Sequence, residues 1–140
     1  MIEEMSPGEV KDFVLEQKVG RLGCHAEGET YVVPVIFAWR DDCFYVYTTE
    51  GKKVEMMRAN AQVCFEVDEY LMGGRWRSVI VQGTYEELRG EEAGRALEII
   101  SERFSSSTPR ARDDDRGAGR APVAFLIRVK EITGRKVERD

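Results

Sequence analysis

Apolar residues recur along this chain in two rhythms, one helical and one alternating, and the changes of rhythm mark its elements. Ser6-Pro7-Gly8-Glu9 opens a helix: Ser6 suits the cap, Pro7 the first helical position, and Glu9 completes a capping box. Val10, Phe13 and Val14 then make one apolar face, and the helix is expected to end near Gln17–Lys18, ahead of Gly20. From Val19 the pattern is β. Val19–His25 reads as a short strand, Glu27-Gly28-Glu29 as a turn, and Tyr31–Trp39 as a longer strand rich in Val, Ile and aromatics. Pro34 inside that run cannot donate to a ladder, so it is expected at an edge or a bulge. Arg40-Asp41-Asp42 turns the chain, and Cys43–Thr48 pairs back as a hairpin.

Glu50-Gly51-Lys52-Lys53 interrupts the alternation, and Val54–Asn60 reads as a short helix with Val54 and Met57 inward. Gln62–Asp68 is a further strand, Tyr70–Arg75 a glycine-containing loop, and Arg77–Leu88 a long strand that can bend at Gly83. Glu91–Phe104 is amphipathic, with Ala93, Leu97, Ile100 and Phe104 on one side. Ser105–Ala121, rich in Ser, Arg, Asp and Gly, is expected to be a mobile loop. Val123–Val129 closes the pattern, and Ile132-Thr133-Gly134 begins a polar tail. About six antiparallel strands with short flanking helices predict a mainly β, α+β barrel in a single domain over residues 1–140.

Composition narrows the function classes. With 42% hydrophobic and 34% charged residues, the chain has the make-up of a globular protein. No apolar run approaches the length of a membrane span, and the acidic start Met1-Ile2-Glu3-Glu4-Met5 lacks the pattern of a signal peptide, so a cytoplasmic, non-membrane protein is expected. A net charge of −5 argues against nucleic acid as the partner, and Asp113-Asp114-Asp115 interrupts the one basic stretch, Arg110–Arg120. Cys24, Cys43 and Cys64 are dispersed and read as free, mostly buried thiols; with His25 they form no metal-ligand pattern.

Protein-borne catalysis is poorly represented. The chain has one histidine, no GxSxG and no GxxxxGK[ST], and Gly20-x-x-Gly23 lacks the context of a dinucleotide fingerprint. Two constellations remain. Tyr47-Thr48-Thr49 ends a strand, Gly51 turns, and Lys52-Lys53 opens a helix, gathering hydroxyls, backbone N–H groups and ammonium groups as a phosphate would require. The plain alternative is a strand-to-helix turn with solvent-facing lysines. Trp76-Arg77-Ser78 offers an indole, a guanidinium and a hydroxyl that suit an aromatic ligand; its alternative is an interface or core tryptophan beside exposed arginines.

In order, Gly20–Gly23, Tyr31–Val35, Phe44–Lys53, Val54–Phe65 and Arg77–Thr84 resemble the pyridoxamine-phosphate-oxidase-like FMN-binding split-barrel superfamily. The subgroup it is most similar to is that of the small flavin-nucleotide-binding proteins, which includes the nitroimidazole-resistance reductases. The resemblance implies a split β-barrel and a homodimer with two FMN sites at the subunit interface. It implies that Thr48, Thr49, Lys52 and Lys53 meet the phosphate, with Tyr47 lining the site, and that Val33, Pro34 and Val35 line the ring. It also implies that Trp76, Arg77 and Ser78 arrive from the partner subunit. Two departures bear on activity. Tyr47 stands where many subgroup members have His, and apolar Val32 and Phe37 stand where the vitamin B6 oxidases carry an Arg and a Lys. The resemblance therefore implies an FMN-dependent oxidoreductase, with a reduced nicotinamide donor and a small acceptor, rather than a pyridoxamine phosphate oxidase. A flavin-binding module without turnover, and a reductase using a deazaflavin, are the other readings; haem has only His25 as a ligand.

Overall fold

The computed structural model describes residues 1–104 and 120–138. Its elements run β1 (Glu3–Glu4), α1 (Pro7–Glu16), β2 (Val19–Ala26), β3 (Glu29–Ile36), β4 (Ala38–Arg40), β5 (Cys43–Thr49), α2 (Lys52–Ala59), β6 (Gln62–Tyr70), β7 (Trp76–Leu88), α3 (Gly90–Phe104) and β8 (Pro122–Val137), with a 3₁₀ turn at Met72–Gly74. The strands form one antiparallel sheet in the order β3-β2-β6-β7-β8-β5-β4, with β1 on the far end of β8. Alternation explains which face each strand buries: Leu22 and Cys24, Val63, Phe65 and Val67, Val79 and Val81, Phe44 and Val46 all point inward. Phe37, Phe44 and Phe65 meet at the centre with ring centroids 4.6–5.4 Å apart. The inner faces of α1 (Val10, Phe13, Val14) and α2 (Val54, Met57) join this core. The architecture is the expected split barrel, with eight strands among the described residues where the sequence predicts about six.

Three differences have physical causes. The run Tyr31–Trp39 is not one strand. It breaks at Phe37, which is 1% exposed and whose N–H bonds to the Lys18 carbonyl at 3.0 Å. The chain crosses there from β3, at one end of the strand order, to β4, at the other, which is how the sheet curls round on itself. Ile132-Thr133-Gly134 is strand rather than tail. These residues pair with Val81, Ile80 and Val79, and the ladder slips at Gln82/Gly83, so that Lys130 is the extra residue of a bulge. That bulge breaks the apolar alternation at Val129-Lys130-Glu131, which is why the strand reads as ended. Gly83 is needed at the slip: a Cβ there would lie 2.7 Å from Ile127 Cγ2 and 2.8 Å from the Arg128 carbonyl oxygen.

The inner face of α3 is also rotated from the predicted stripe. Ala96, Ile99 and Phe104 are buried, whereas Leu97 is exposed; the small Ala96 lets the helix settle closely onto the sheet. Pro34 does lie at an edge, because β3 pairs only with β2. Among the described residues no helix is long and apolar enough to cross a membrane. The low-complexity stretch falls outside the described residues, apart from Arg120 and Ala121.

Candidate functional site

The strand-to-helix turn between β5 and α2 is built from both sides. Thr48 pairs with Val123 and Thr49 with Pro122, and the pairing continues into the turn, where the Glu50 N–H bonds to the Ala121 carbonyl at 2.8 Å. Gly51 then caps α2 with extended backbone, and among the described residues no side chain bonds to the N–H groups of the first turn. α2 is anchored at its other end. Arg58 forks onto both oxygens of Glu50 at 3.0 and 2.7 Å and onto both of Glu87 at 2.7 Å. Asn60 donates to the His25 carbonyl at 2.8 Å and accepts from the Gln62 N–H at 3.1 Å. The Arg58 guanidinium, with a bond from the Tyr85 hydroxyl, pulls the Glu87 carboxyl down to about 2.

Cations gather at the open end of α2. Lys52 pairs with Glu29, whose carboxylate raises the pKa of the ammonium, and its Nζ lies 4.9 Å from the Tyr31 ring centroid. Through these two contacts β3 is drawn alongside the first turn of α2. Lys53 acts electrostatically on buried Cys24, whose thiol is pushed up by desolvation against that pull. Arg120, at the approach to β8, carries Nη1 to 3.8 Å from where a Cβ on Gly51 would sit. Lys52, Lys53 and Arg120 thus lie at one helix N-terminus that no described side chain caps, a set whose chemistry fits a phosphate group.

Thr48, Thr49, Lys52 and Lys53 lie within one strand-to-helix turn, with Thr48 and Thr49 on opposite faces of β5 by alternation; β3 meets the start of α2 through Glu29 and Tyr31, with Val33, Pro34 and Val35 further along the strand. Along β3, Val35 is buried, Val33 half-buried and Pro34 exposed. Tyr47 is half-buried and, by alternation, faces away from Thr48, on the side of β5 that it shares with Tyr45. Trp76, Arg77 and Ser78 are elsewhere. They pair with Val137, Lys136 and Arg135, twelve positions along β8 from the residues that partner Thr48–Thr49, or roughly 40 Å of extended strand. Nor is Arg77 an exposed arginine: its guanidinium lies 4.8 Å from the Phe13 ring centroid, bonds to Glu69 and stands 3.8 Å from Glu16. The two constellations do not meet within one protomer.

The outer face of β2, β3, β6 and β7 holds a shallow hollow of about 520 Å³ that includes Arg21, Val32, Cys64, Glu66 and Gln82. Val19, Val32, Ile36 and Ile80 are exposed on this face. Burial and a bond shared with Asp68 push the Glu66 carboxyl up to about 7, against the opposing charge of Arg21. A larger cavity, about 660 Å³, lies between α1, Trp39, the Asp41–Asp42 turn and Ile132–Arg135; it is lined by none of the Thr48–Lys53 or Trp76–Ser78 residues. His25 is exposed and hydrogen-bonded to the Thr30 hydroxyl at 2.9 Å, and among the described residues no group of acidic, cysteine or histidine side chains is placed to hold a metal.

Arg120 and the Arg58–Glu50–Glu87 clamp were not legible as site features. In the sequence Arg120 belongs to a loop and Glu50 to a turn; the pairing of Glu50 with Ala121 shows that both belong to one corner.

Residues 6–136 match the family described as pyridoxamine 5'-phosphate oxidase. A FAD-binding protein of Mesorhizobium loti is 32% identical, with 99% of each chain covered and a TM-score of 0.79. A Bacteroides thetaiotaomicron protein named for 5-nitroimidazole antibiotic resistance shares the fold at 22% identity, covering 97% of this chain and 87% of its own, also with a TM-score of 0.79. An uncharacterised Rhizobium meliloti protein is 25% identical over 96% of this chain and 94% of its own length. With the family match running from the cap of α1 to the far end of β8, the chain belongs to the pyridoxamine 5'-phosphate oxidase family.

Proposed function

We propose that this chain binds FMN as a homodimer and acts as an FMN-dependent oxidoreductase of the cytoplasm, passing electrons from a reduced nicotinamide to a small acceptor. The observation that carries the reading is the N-terminus of α2, which no side chain among the described residues caps and beside which Lys52, Lys53 and Arg120 stand. A phosphate monoester, near −2 in charge, satisfies the open N–H groups and the cations together. Thr48 and Thr49 add hydroxyl donors, and Val33, Pro34 and Val35 border the ring system. The FAD-binding name of the Mesorhizobium loti relative supports a flavin in this position.

A second copy accounts for two further observations. Trp76, Arg77 and Ser78 are too far along β7 to reach the α2 corner of their own protomer, so they serve the site of the partner. The exposed apolar residues Val19, Val32, Ile36 and Ile80 then become interface. Bound flavin supplies the two-electron redox chemistry, which fits a chain with no nucleophile–base pair of its own. The residues hold and orient it. Oxidation of pyridoxamine phosphate is not part of the proposal, because Val32 and Phe37 are apolar, and Phe37 is buried in the core.

The test is a visible absorption spectrum of the purified protein with and without added FMN, alongside size-exclusion chromatography. Oxidised-flavin bands co-eluting with a dimer at one flavin per chain are expected, followed by nicotinamide oxidation with quinone or nitro acceptors. Stoichiometric flavin without turnover would leave a binding module; a colourless protein that ignores micromolar FMN but binds a deazaflavin would replace the cofactor.

A further inference from the structure

We infer that the cavity beside α1 binds a short extended peptide by its free amino end, at the opening that the sheet leaves between β5 and β1. The site is separate from the α2 corner and does not depend on the flavin reading.

The opening follows from the register of β8. One edge of β8 is paired with β7 from Ala124 to Val137. The other edge is shared. β5 pairs with it as far as Cys43–Arg128, and the Val129 N–H adds a bond to the Asp42 carbonyl at 3.2 Å. β1 takes over only at Glu4–Arg135, with the Met5 N–H bonded to the Gly134 carbonyl at 2.9 Å. Between Val129 and Gly134, about 15 Å of strand, none of the described strands pairs with this edge. The Gly134 carbonyl points to that edge and successive residues alternate, so Ile132 directs both its N–H and its C=O there. Ile132 is half-buried, and a backbone donor and acceptor held outside the ladder match the backbone of an added extended segment.

The cavity of about 660 Å³ lies along this same stretch. Ile132, Thr133 and Gly134 line it, together with the apolar side chains of Val10, Val14 and Trp39. Three extended residues span about 10 Å, which fits the length of the open edge. Charge sets the direction. Asp41 and Asp42 line the end where β5 leaves β8, and among the described residues neither carboxylate is held in an ion pair. At the other end Arg135 lies across the ladder from Glu4, and α1 contributes Lys11. A peptide ammonium is therefore favoured beside Asp41 and Asp42, with the chain running on toward Gly134 and its apolar side chain against α1.

The experiment titrates the full-length protein by calorimetry with the tripeptide amide Ala-Leu-Ala-NH₂ and with its N-acetylated form. The first should bind and acetylation should weaken it about tenfold or more, since it removes the charge that meets the two carboxylates. The double substitution Asp41→Asn with Asp42→Asn should weaken the free-amine peptide by a similar factor and leave the acetylated one unchanged. Asparagine suits the left-handed backbone of both positions, φ 54° and 60°, so the turn is kept. Exchange of the Ile132 amide hydrogen should slow when the peptide is added, a change that the side-chain charges alone do not produce. Absence of binding at millimolar peptide would overturn the inference. Equal affinity for the free and acetylated forms, or unchanged exchange at Ile132, would overturn it as well.

Discussion

The two helices that join the barrel core begin in opposite ways. α1 starts with every feature that closes a helix: the Ser6 hydroxyl accepts from the Glu9 N–H at 3.2 Å, the Glu9 carboxylate accepts from the Ser6 N–H at 2.8 Å, and Pro7 removes one donor. Glu9 is in turn held by Lys136 from β8, which keeps its carboxyl below the ordinary carboxylate range. α2 starts with glycine, no side-chain cap and two lysines, and is secured from its far end by Arg58 and Asn60. A helix that only packs satisfies its own donors. One that no described side chain caps, under cations that oppose the macrodipole, is the helix start at which the proposed phosphate would supply the missing acceptor.

Closing α2 should break that contrast most sharply. Gly51 has extended backbone open to any residue, and an added Cβ would make only ordinary contacts, 3.8 Å to Arg120 and 3.9 Å to the Thr49 carbonyl oxygen. Gly51→Asp places a carboxylate where the phosphate would sit. FMN affinity should fall about a hundredfold or more, from like-charge repulsion and competition for the same donors. The flavin-free protein should meanwhile melt at the same or a slightly higher temperature, since aspartate caps better than glycine by only a few tenths of a kcal/mol. Unchanged FMN binding in this variant would remove α2 from the site.

Releasing the far end of α2 should cost stability next. Arg58→Ala leaves Glu87, whose side chain is 14% exposed, with Arg89 and Tyr85 as its partners among the described residues. About 2 kcal/mol is expected, toward the lower part of the range for charged hydrogen bonds because the Arg58 side chain is itself 38% exposed. The pH dependence has a definite sign. The Glu87 carboxyl is depressed from 4.5 to about 2, so its contribution is fully present above pH 4.5 and drains away as the pH falls toward 2. Thermal melts across that window should show a steeper acid loss in wild type than in Arg58→Ala. Parallel curves would mean that Arg58 does not set the Glu87 carboxyl.

Local chemistry was legible in the chain; long-range pairing was not. The capping box of α1 is written in four consecutive residues, and Thr48, Thr49, Gly51, Lys52 and Lys53 are close enough in sequence to be seen as one constellation. Pro34 announced an edge because its missing N–H is a property of the residue alone. The break at Phe37 was hidden because both flanking strands are apolar, and only the crossing from one edge of the sheet to the other separates them. β8 was cut short because its bulge at Lys130 puts the alternation out of step. Arg120 was missed for the same kind of reason: its neighbour Gly51 lies sixty-nine positions away, and nothing but the β5–β8 register brings them together.

The smallest expected effect tests whether the two helix starts are independent. Ser6→Ala removes the hydroxyl that accepts from the Glu9 N–H, and a lost serine cap costs about 1 kcal/mol. Glu9 keeps its bond to Lys136, so the first turn of α1 loses one acceptor rather than its anchor to β8. The melting temperature should therefore drop by a few degrees, less than in Arg58→Ala. FMN affinity should not change at all, because α1 is capped by Ser6 within the protein and contributes no donor to the phosphate corner. Ser6→Ala and Gly51→Asp then form opposite halves of one measurement, the first lowering stability without touching binding, the second weakening binding without lowering stability. A loss of FMN affinity in Ser6→Ala, read by titration of flavin fluorescence, would mean that the start of α1 is coupled to the site and that its closed cap is not merely structural.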